Sequence, residues 1–173
     1  MGNQQLGGEA NAAQVFTPDD LKKLHKRFKK LDKDNSGQLE PNEFFDVPSL
    51  SQNPLVKRVI SVFDTDKDGK ISFMEFITGL ASLSTSSNDK EKLKFAFKVY
   101  DFDEDGFISN GDLFTVLKIM VGDGLKDAQL QQLVDRTIVR ADKDGDGLIS
   151  FDEFCEMVKE LDVASKLTIK YNA

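Results

Sequence analysis

Four acidic segments of twelve residues dominate this 173-residue chain, at 32–43, 64–75, 101–112 and 142–153. In each segment Asp or Ser occupies positions 1, 3 and 5, glycine position 6, an aliphatic residue position 8 and a carboxylate position 12. Glycine permits the sharp turn that a short loop needs, and alternate positions direct their oxygens towards one point. Such a loop can surround calcium with about six to eight oxygens. The four segments, named loops 1 to 4 below, therefore predict calcium binding.

The spacing resembles the EF-hand, a helix–loop–helix unit that binds the ion through side chains at positions 1, 3, 5 and 12 and the backbone carbonyl at position 7. Position 9 acts often through water, and the carboxylate at position 12 binds with both oxygens. In loop 1, Glu40 at position 9 keeps the carboxylate count at four although Ser36 is neutral. The expected ligands are Asp32, Asp34, Ser36, Gln38 and Glu43 in loop 1, Asp64, Asp66, Asp68, Lys70 and Glu75 in loop 2, Asp101, Asp103, Asp105, Phe107 and Asp112 in loop 3, and Asp142, Asp144, Asp146, Leu148 and Glu153 in loop 4.

Loop 3 differs from the others because it ends in Asp112 rather than in glutamate. Aspartate is one methylene shorter, so a grip with both oxygens requires the backbone to move inward. A site with fewer oxygens approaches the six-coordinate geometry that magnesium prefers. We expect loop 3 to bind calcium more weakly and to discriminate less against magnesium.

The formal net charge of −7 has its origin in the loops, because 16 of the 30 acidic residues stand at their coordinating positions. This acidity is typical of a counter-charge for metal ions, and it weighs against nucleic-acid binding. No apolar run approaches the about 20 residues that span a bilayer. The single cysteine, Cys155, cannot form an internal disulfide, and its apolar neighbours predict a buried thiol.

Apolar residues recur at helical spacing before and after each loop, which predicts an all-α fold of four helix–loop–helix units. Thr17-Pro18 and Asn53-Pro54 are predicted to start helices, and a further helix is predicted at 127–141. We expect two lobes, each an EF-hand pair whose aliphatic residues at position 8 form a short antiparallel β-bridge. The predicted divisions are a flexible arm at 1–16, an N-terminal lobe at 17–84, a linker at 85–88, a C-terminal lobe at 89–162 and a tail with a weak strand-like pattern at 163–173.

A more specific resemblance extends over residues 17–162. Its matching segments are 92–101 (Lys-Leu-Lys-Phe-Ala-Phe-Lys-Val-Tyr-Asp), 108–111, 113–114, 116–122, 125–127, 129–132, 134–135 and 137–138, with 26–32 and 52–55 in the first lobe. In these segments the chain resembles calcineurin B, the regulatory subunit of a calcium-dependent Ser/Thr protein phosphatase.

The resemblance implies a heterodimer in which this subunit clasps an apolar helix of the phosphatase catalytic subunit and confers calcium sensitivity. It also implies that Leu117, Met120, Val121 and Leu125 contribute to a surface for substrate docking motifs and immunophilin–drug complexes. The residues alone show only that this segment is apolar and broken by glycine.

The family also implies N-myristoylation of Gly2. Met1-Gly2-Asn3 fits that pattern, but Leu6 stands where Ser or Thr is expected, so the pattern leaves the modification open. The basic residues between 22 and 30 would supply a second membrane signal or, alternatively, a solvated helix face. We expect a cytoplasmic protein that contacts membranes only if it is myristoylated.

Two further functions compete with the regulatory subunit. A free calcium sensor or buffer of the calmodulin-like class would carry the same loops. An enzyme is not supported, because the chain has no Ser/His/Asp set and no phosphate-cradling glycine loop. Only four methionines accompany 14 phenylalanines, which argues against a promiscuous methionine-lined groove.

Overall fold

The computed structural model describes residues 15–45, 51–84 and 89–161, which form eight α-helices. The chain divides into two compact units, and the division falls between residues 88 and 89. The N-terminal unit contains α1 (Pro18–Leu31), β1 (Gln38–Leu39), α2 (Pro41–Phe45), α3 (Val56–Phe63), β2 (Ile71–Ser72) and α4 (Phe73–Leu83). The C-terminal unit contains α5 (Asp89–Tyr100), α6 (Asn110–Val121), a 3₁₀ turn (Gly122–Gly124), α7 (Asp127–Ala141) and α8 (Phe151–Leu161). The predicted all-α class with two EF-hand pairs is confirmed.

Each unit joins its two loops through the aliphatic residues at position 8. In the N-terminal unit, β1 and β2 are antiparallel and Leu39 pairs with Ile71. In the C-terminal unit, Ile108 and Ile149 form an isolated antiparallel bridge, and each backbone N–H donates to the other's carbonyl at 2.9 Å. All four side chains are at most 2% exposed. The bridge therefore fixes the two loops of a unit to each other and to its core.

The start of α1 follows the sequence prediction. Asp20 N–H donates to Thr17 Oγ1 at 3.2 Å, Thr17 N–H donates to Asp20 Oδ2 at 3.0 Å, and Pro18 is the first helical residue. This reciprocal pair satisfies two backbone donors that would otherwise lack partners at the helix end.

The start of α3 differs from the prediction, because the helix begins at Val56 rather than directly after Asn53-Pro54. The Asn53 side chain accepts from Leu55 N–H at 2.9 Å, and its carbonyl accepts from Val56 N–H at 3.1 Å. Asparagine here closes a local turn before the helix, which is a common alternative to capping. The predicted cap was therefore wrong, and Leu55 takes the cap position without a side-chain hydrogen bond.

Phenylalanine rings form much of the core of the N-terminal unit. The Phe28 ring meets Phe73 and Phe76 edge to face, with ring centroids 5.4 and 5.6 Å apart. The exposed His25 ring also contacts Phe73, with ring centroids 5.0 Å apart. Phe16 is 8% exposed, although the prediction placed it in the arm. The edge-to-face contacts of the Phe28 ring add about 0.5–1.5 kcal/mol per pair beyond area burial.

The core of the C-terminal unit also centres on aromatic rings. Phe97 meets Phe151 and Phe154 edge to face, both at 5.5 Å between ring centroids. Cys155 packs against this core and is half-buried, less than the sequence predicted. Desolvation by burial raises the pKa of its thiol.

Helices α6 and α7 are joined by the 3₁₀ turn and by polar contacts at both ends. The Asp135 carboxylate accepts from the side-chain amides of Asn110 and Gln131, both at 2.8 Å. At the other end, Lys118 Nζ lies 2.8 Å from Asp127 Oδ1. The break predicted at Gly122 is confirmed, since α6 ends one residue earlier.

Several predictions fall outside the described residues: Gly2 and most of the arm, the linker at 85–88 and the tail. The domain boundaries therefore stay predictions. Among the helices that the structure describes, none is long and apolar enough to cross a membrane.

Candidate metal centres

The backbone of each loop turns through the left-handed region twice. At position 6 the glycines have φ between +83° and +93°. At position 4, Asn35, Lys67 and Glu104 have φ of 55°, 61° and 62°, and Gly145 has φ of 80°. A residue with a Cβ is uncommon there. The glycine at position 6 predicted its turn from the sequence, whereas the turn at position 4 was not predicted, because three of its four residues are not glycine.

The aspartate at position 1 accepts a hydrogen bond from the backbone of its own loop. In every loop its Oδ2 atom accepts from the glycine N–H at position 6. The distances are 2.9 Å for Asp32, 2.9 Å for Asp64, 3.0 Å for Asp101 and 2.8 Å for Asp142. The turn at position 6 therefore orients the first predicted ligand.

Positions 3, 5 and 7 are linked in the same way. The N–H at position 5 donates to the carboxylate at position 3, over 2.9 to 3.2 Å in the four loops. In loops 2, 3 and 4 the aspartate at position 5 accepts in turn from the N–H at position 7, over 2.8 to 2.9 Å. In loop 1, Ser36 Oγ donates to the Gln38 carbonyl at 2.9 Å, so the predicted ligands at positions 5 and 7 are adjacent.

The glutamate at position 12 connects the two ends of its loop. Its Oε1 atom accepts from the N–H at position 2, at 2.7 Å for Glu43, 2.8 Å for Glu75 and 2.7 Å for Glu153. Its Oε2 atom accepts from the N–H at position 9, at 2.8 to 2.9 Å. In loops 2 and 4 the serine at position 9 also accepts from the glutamate N–H, which forms a capping box for α4 and α8. One carboxylate thus serves both the loop and the helix that follows.

Asp112 in loop 3 occupies the same place with a shorter reach. Its Oδ2 atom accepts from Ser109 N–H at 2.9 Å and from Ser109 Oγ, so the capping box of α6 is complete. In loops 1, 2 and 4 the position 12 glutamate is one of three carboxylates that approach within 4.8 Å of one another. In loop 3 the corresponding group consists of Asp101, Asp103 and Asp105. Asp112 therefore supports the helix, whereas Asp105 completes the carboxylate group.

These groups fit a hard divalent cation. Within the described residues, four groups of three carboxylates converge, one in each loop, and every predicted side-chain ligand supplies oxygen. Carboxylate, hydroxyl and carbonyl oxygens suit calcium and magnesium, whereas softer metals prefer sulfur or imidazole.

The pKa values of several loop carboxylates are shifted, partly because the carboxylates lie close together. At Asp66 and Asp144 a backbone hydrogen bond lowers the pKa, but desolvation and three neighbouring carboxylates together raise it above the usual aspartate value. The pKa of Asp101 is raised, mainly by desolvation and also by repulsion from other carboxylates of loop 3. In contrast, hydrogen bonds from the N–H groups of Ser150 and Lys143 lower the pKa of Glu153 to about 2. A divalent ion would relieve this crowding, because it favours the charged form of every ligand.

The two loops of the N-terminal unit also contact each other through side chains. Gln38 Nε2 donates to Asp68 Oδ2 at 3.2 Å, and Lys70 Nζ lies 3.2 Å from Glu40 Oε1. These two contacts were not predicted from the sequence. The contact between Lys70 and Glu40 could have been predicted from opposite charges at positions 7 and 9 on the two sides of the bridge at position 8.

The predicted docking residues lie at the end of α6 and beyond it. Met120 is 44% exposed, whereas Leu117, Val121 and Leu125 are half-buried. Leu117 also packs against the core of the C-terminal unit.

Comparison with known proteins agrees with this geometry. The family model of the EF-hand domain pair matches residues 21–81 and 90–159. The chain is thus an EF-hand protein of the calcium-binding class, with one pair of hands in each unit.

Relatives give a narrower family. Calcineurin B of Naegleria gruberi is 56% identical over 155 residues, which cover 90% of this chain and 88% of the relative. Calcineurin B type 2 of Homo sapiens is 53% identical over 169 residues, 98% of this chain and 99% of the relative. Calcineurin B of Yarrowia lipolytica is 55% identical over 161 residues, 93% of each chain. The chain belongs to the calcineurin B family, so it is a non-catalytic regulatory subunit rather than a free sensor or buffer.

Proposed function

We propose that all four loops bind calcium through the ligands predicted above, and that loop 3 binds it more weakly and tolerates magnesium better. The carboxylate groups of the four loops support this proposal, because each brings three carboxylates within 4.8 Å. The different membership of the group in loop 3 supports the distinction between the sites. When bound, calcium supplies charge neutralisation and a fixed coordination geometry.

The partner we propose is the catalytic subunit of a Ser/Thr protein phosphatase, held in a heterodimer. This chain would clasp an amphipathic helix of its partner and make the phosphatase responsive to calcium. The single observation that carries the proposal is the likeness to proteins named calcineurin B over at least 90% of this chain. A helix groove is a common way for EF-hand proteins to hold a partner.

A second surface is proposed for the C-terminal unit at Leu117, Met120, Val121 and Leu125. Immunophilin–drug complexes and substrate docking motifs would bind there, jointly with the catalytic subunit. The exposure of Met120 supports this proposal, since exposed methionine adapts well to apolar ligands.

We further propose a cytoplasmic location, with some membrane contact if Gly2 is myristoylated. The six basic residues of α1 are exposed and would add electrostatic attraction to anionic lipid; they are Lys22, Lys23, Lys26, Arg27, Lys29 and Lys30. Intact mass of the protein from its native source tests this step. An unmodified Gly2 would contradict it.

Capture from native lysate tests the proposed partnership. The tagged chain should retain one large phosphatase catalytic chain in calcium and in chelator alike, because a constitutive partner does not depend on the ion for assembly. Phosphatase activity of the captured complex should rise with calcium. Loss of every partner in chelator would favour a free sensor and contradict the proposal. A Met120→Glu variant should still assemble with the phosphatase, whereas its affinity for docking peptides should fall.

A further inference from the structure

Two side chains cross between the loops of the N-terminal unit, and both start from position 7. The Gln38 amide reaches Asp68, a predicted ligand at position 5 of loop 2. In the opposite direction, the Lys70 ammonium reaches Glu40 at position 9 of loop 1, with 3.2 Å between Nζ and Oε1. Each loop therefore contacts a coordinating side chain of the other.

The bridge explains why these positions meet. Gln38 pairs with Ser72 across β1 and β2, and Leu39 pairs with Ile71. An antiparallel pair centred on position 8 places position 7 of one strand opposite position 9 of the other. Lys70 directly precedes β2 and Glu40 directly follows β1, so their side chains meet at the same edge of the pair.

Glu40 has its backbone and its side chain directed to different loops. Its N–H donates to Glu43 Oε2 at 2.9 Å, which holds the backbone on loop 1. Its carboxylate, with 43% of the side chain exposed, faces Lys70, whose side chain is 40% exposed. Position 9 is a coordinating position, directly or through water. The carboxylate can therefore serve its own site or the ammonium of the neighbouring loop.

We propose that Lys70 sets the calcium affinity of loop 1 by holding the Glu40 carboxylate away from that site. This inference rests on the proposed function, because it assumes that loop 1 binds calcium. Lys70 serves loop 2 only through its backbone carbonyl, so its side chain can act on the neighbouring site without loss of a ligand from its own. Lys70 is thus a positioning residue that lies outside loop 1, the loop whose calcium affinity it sets.

The C-terminal unit has no equivalent pair. Its position 7 residues are Phe107 and Leu148, and its position 9 residues are Ser109 and Ser150, so neither direction can form an ion pair. The effect of Lys70 on calcium affinity would therefore be confined to the N-terminal unit, and the calcium affinities of the two units would differ.

Calcium titration followed by amide NMR tests the proposal site by site. The Gly37 N–H donates to Asp32 and reports on loop 1, and the Gly69 N–H donates to Asp64 and reports on loop 2. Lys70→Met should tighten calcium binding at loop 1 by about two- to fivefold, since a half-exposed ion pair is weak. The gain should shrink at high salt, because salt already screens the pair in the parent protein.

The matched control is Lys67→Met, which removes the same charge from the same loop. The Lys67 ammonium donates to the Ser61 carbonyl at 3.1 Å, and its loss should change loop 1 much less. In a Glu40→Gln background, the gain from Lys70→Met should largely disappear.

Three results would overturn the proposal. The first is an unchanged calcium midpoint of the Gly37 signal in Lys70→Met. The second is an equal gain in calcium affinity from Lys70→Met with Glu40 and in the Glu40→Gln background, since Lys70 would then act on the ion only through its general charge. Both results leave the proposed function intact. A Gly37 signal that never responds to calcium would overturn the proposed loop 1 site and this inference with it.

Discussion

A Cβ atom placed on Gly79 would lie 2.7 Å from three carbon atoms of the Phe63 ring. Gly79 is in the interior of α4, and Phe63 is the last residue of α3 and 7% exposed. Real Cβ atoms essentially never approach other atoms so closely. The absence of a side chain at residue 79 therefore lets the helices that flank loop 2 pack closely.

Gly79→Ala should destabilise the N-terminal unit, although alanine is the better helix former by about 1 kcal/mol. Overpacking costs about 1–3 kcal/mol, so after the gain in helix propensity the net loss should reach about 2 kcal/mol at most. Calorimetric unfolding of the full chain measures it. The control is Gly111→Ala in α6, where the new Cβ would meet Ser109 Oγ at an ordinary 3.7 Å and stability should hold or rise. A rise for Gly79→Ala as well would contradict the packing argument.

Asp112→Glu should raise the calcium affinity of loop 3 and its preference for calcium over magnesium. The added methylene would let the carboxylate reach into the loop as Glu43, Glu75 and Glu153 do. Amide NMR at Gly106, whose N–H donates to Asp101, reports on this loop. The reverse change in loop 4, Glu153→Asp, should weaken calcium binding there. Unchanged affinity and selectivity in Asp112→Glu would show that the length of the last ligand is unimportant.

Gly147→Ala should weaken calcium binding at loop 4 by about 5- to 30-fold, which corresponds to a left-handed strain of about 1–2 kcal/mol. Gly147 has φ of +83°, and a Cβ there would meet nothing within 4 Å, so the effect is conformational rather than steric. Gly145→Asn is the matched control, because Asn35 already adopts a left-handed conformation at the same position of loop 1. Equal losses in the two variants would contradict the distinction between positions 4 and 6. Isothermal titration calorimetry measures both.

Ile149→Ala should destabilise the C-terminal unit by about 2–5 kcal/mol, because Ile149 is 1% exposed and its truncation leaves a cavity. The bridge itself uses backbone atoms and would be retained. Val139→Ala on α7 removes apolar atoms from a residue that is 79% exposed, so its effect should stay within about 0.5 kcal/mol. Thermal unfolding in chelator compares the two variants, and similar melting temperatures would contradict a stabilising role for the buried Ile149 side chain.

The Cys155 thiol should react slowly with a disulfide reagent in the folded protein. Burial raises its pKa, so less thiolate is present at a given pH than in the unfolded chain. The reaction rate should rise several-fold in denaturant, and the pH profile of the rate should move to lower pH there. A folded chain that reacts as fast as the unfolded one would show that the thiol is accessible and unperturbed.

Much of the fold follows from local sequence patterns. The capping box at Thr17, the break at Gly122 and the pairing of residues at position 8 all depend on neighbouring residues or on one repeated spacing. The start of α3 could not be predicted in the same way, because Asn53 can cap a helix or close a turn and the surrounding packing decides between them. The left-handed turn at position 4 was also not predicted, because Asn35, Lys67 and Glu104 are not glycine.

The candidate metal sites, too, could be predicted from the sequence only in part. Residue types and spacing predicted the carboxylates that converge in loops 1, 2 and 4. Asp105 and Asp112 were both predicted as ligands of loop 3, and the shorter side chain of Asp112 predicted weaker binding. Which of the two completes the group of three carboxylates depends on the folded backbone and did not follow from the sequence. The contact between Lys70 and Glu40 joins residues 30 positions apart and needed the register of the bridge.

The double role of the carboxylate at position 12 has a consequence for how such a chain can change over evolutionary time. A capping box accepts glutamine as well as glutamate, whereas a calcium site needs the charge. Glu153→Gln would therefore abolish calcium binding at loop 4, while the capping box at the start of α8 would be retained. After gene duplication, one copy of the protein could lose the calcium ion of a single loop through one substitution and keep its fold. That helix–loop–helix unit would then have a purely structural role.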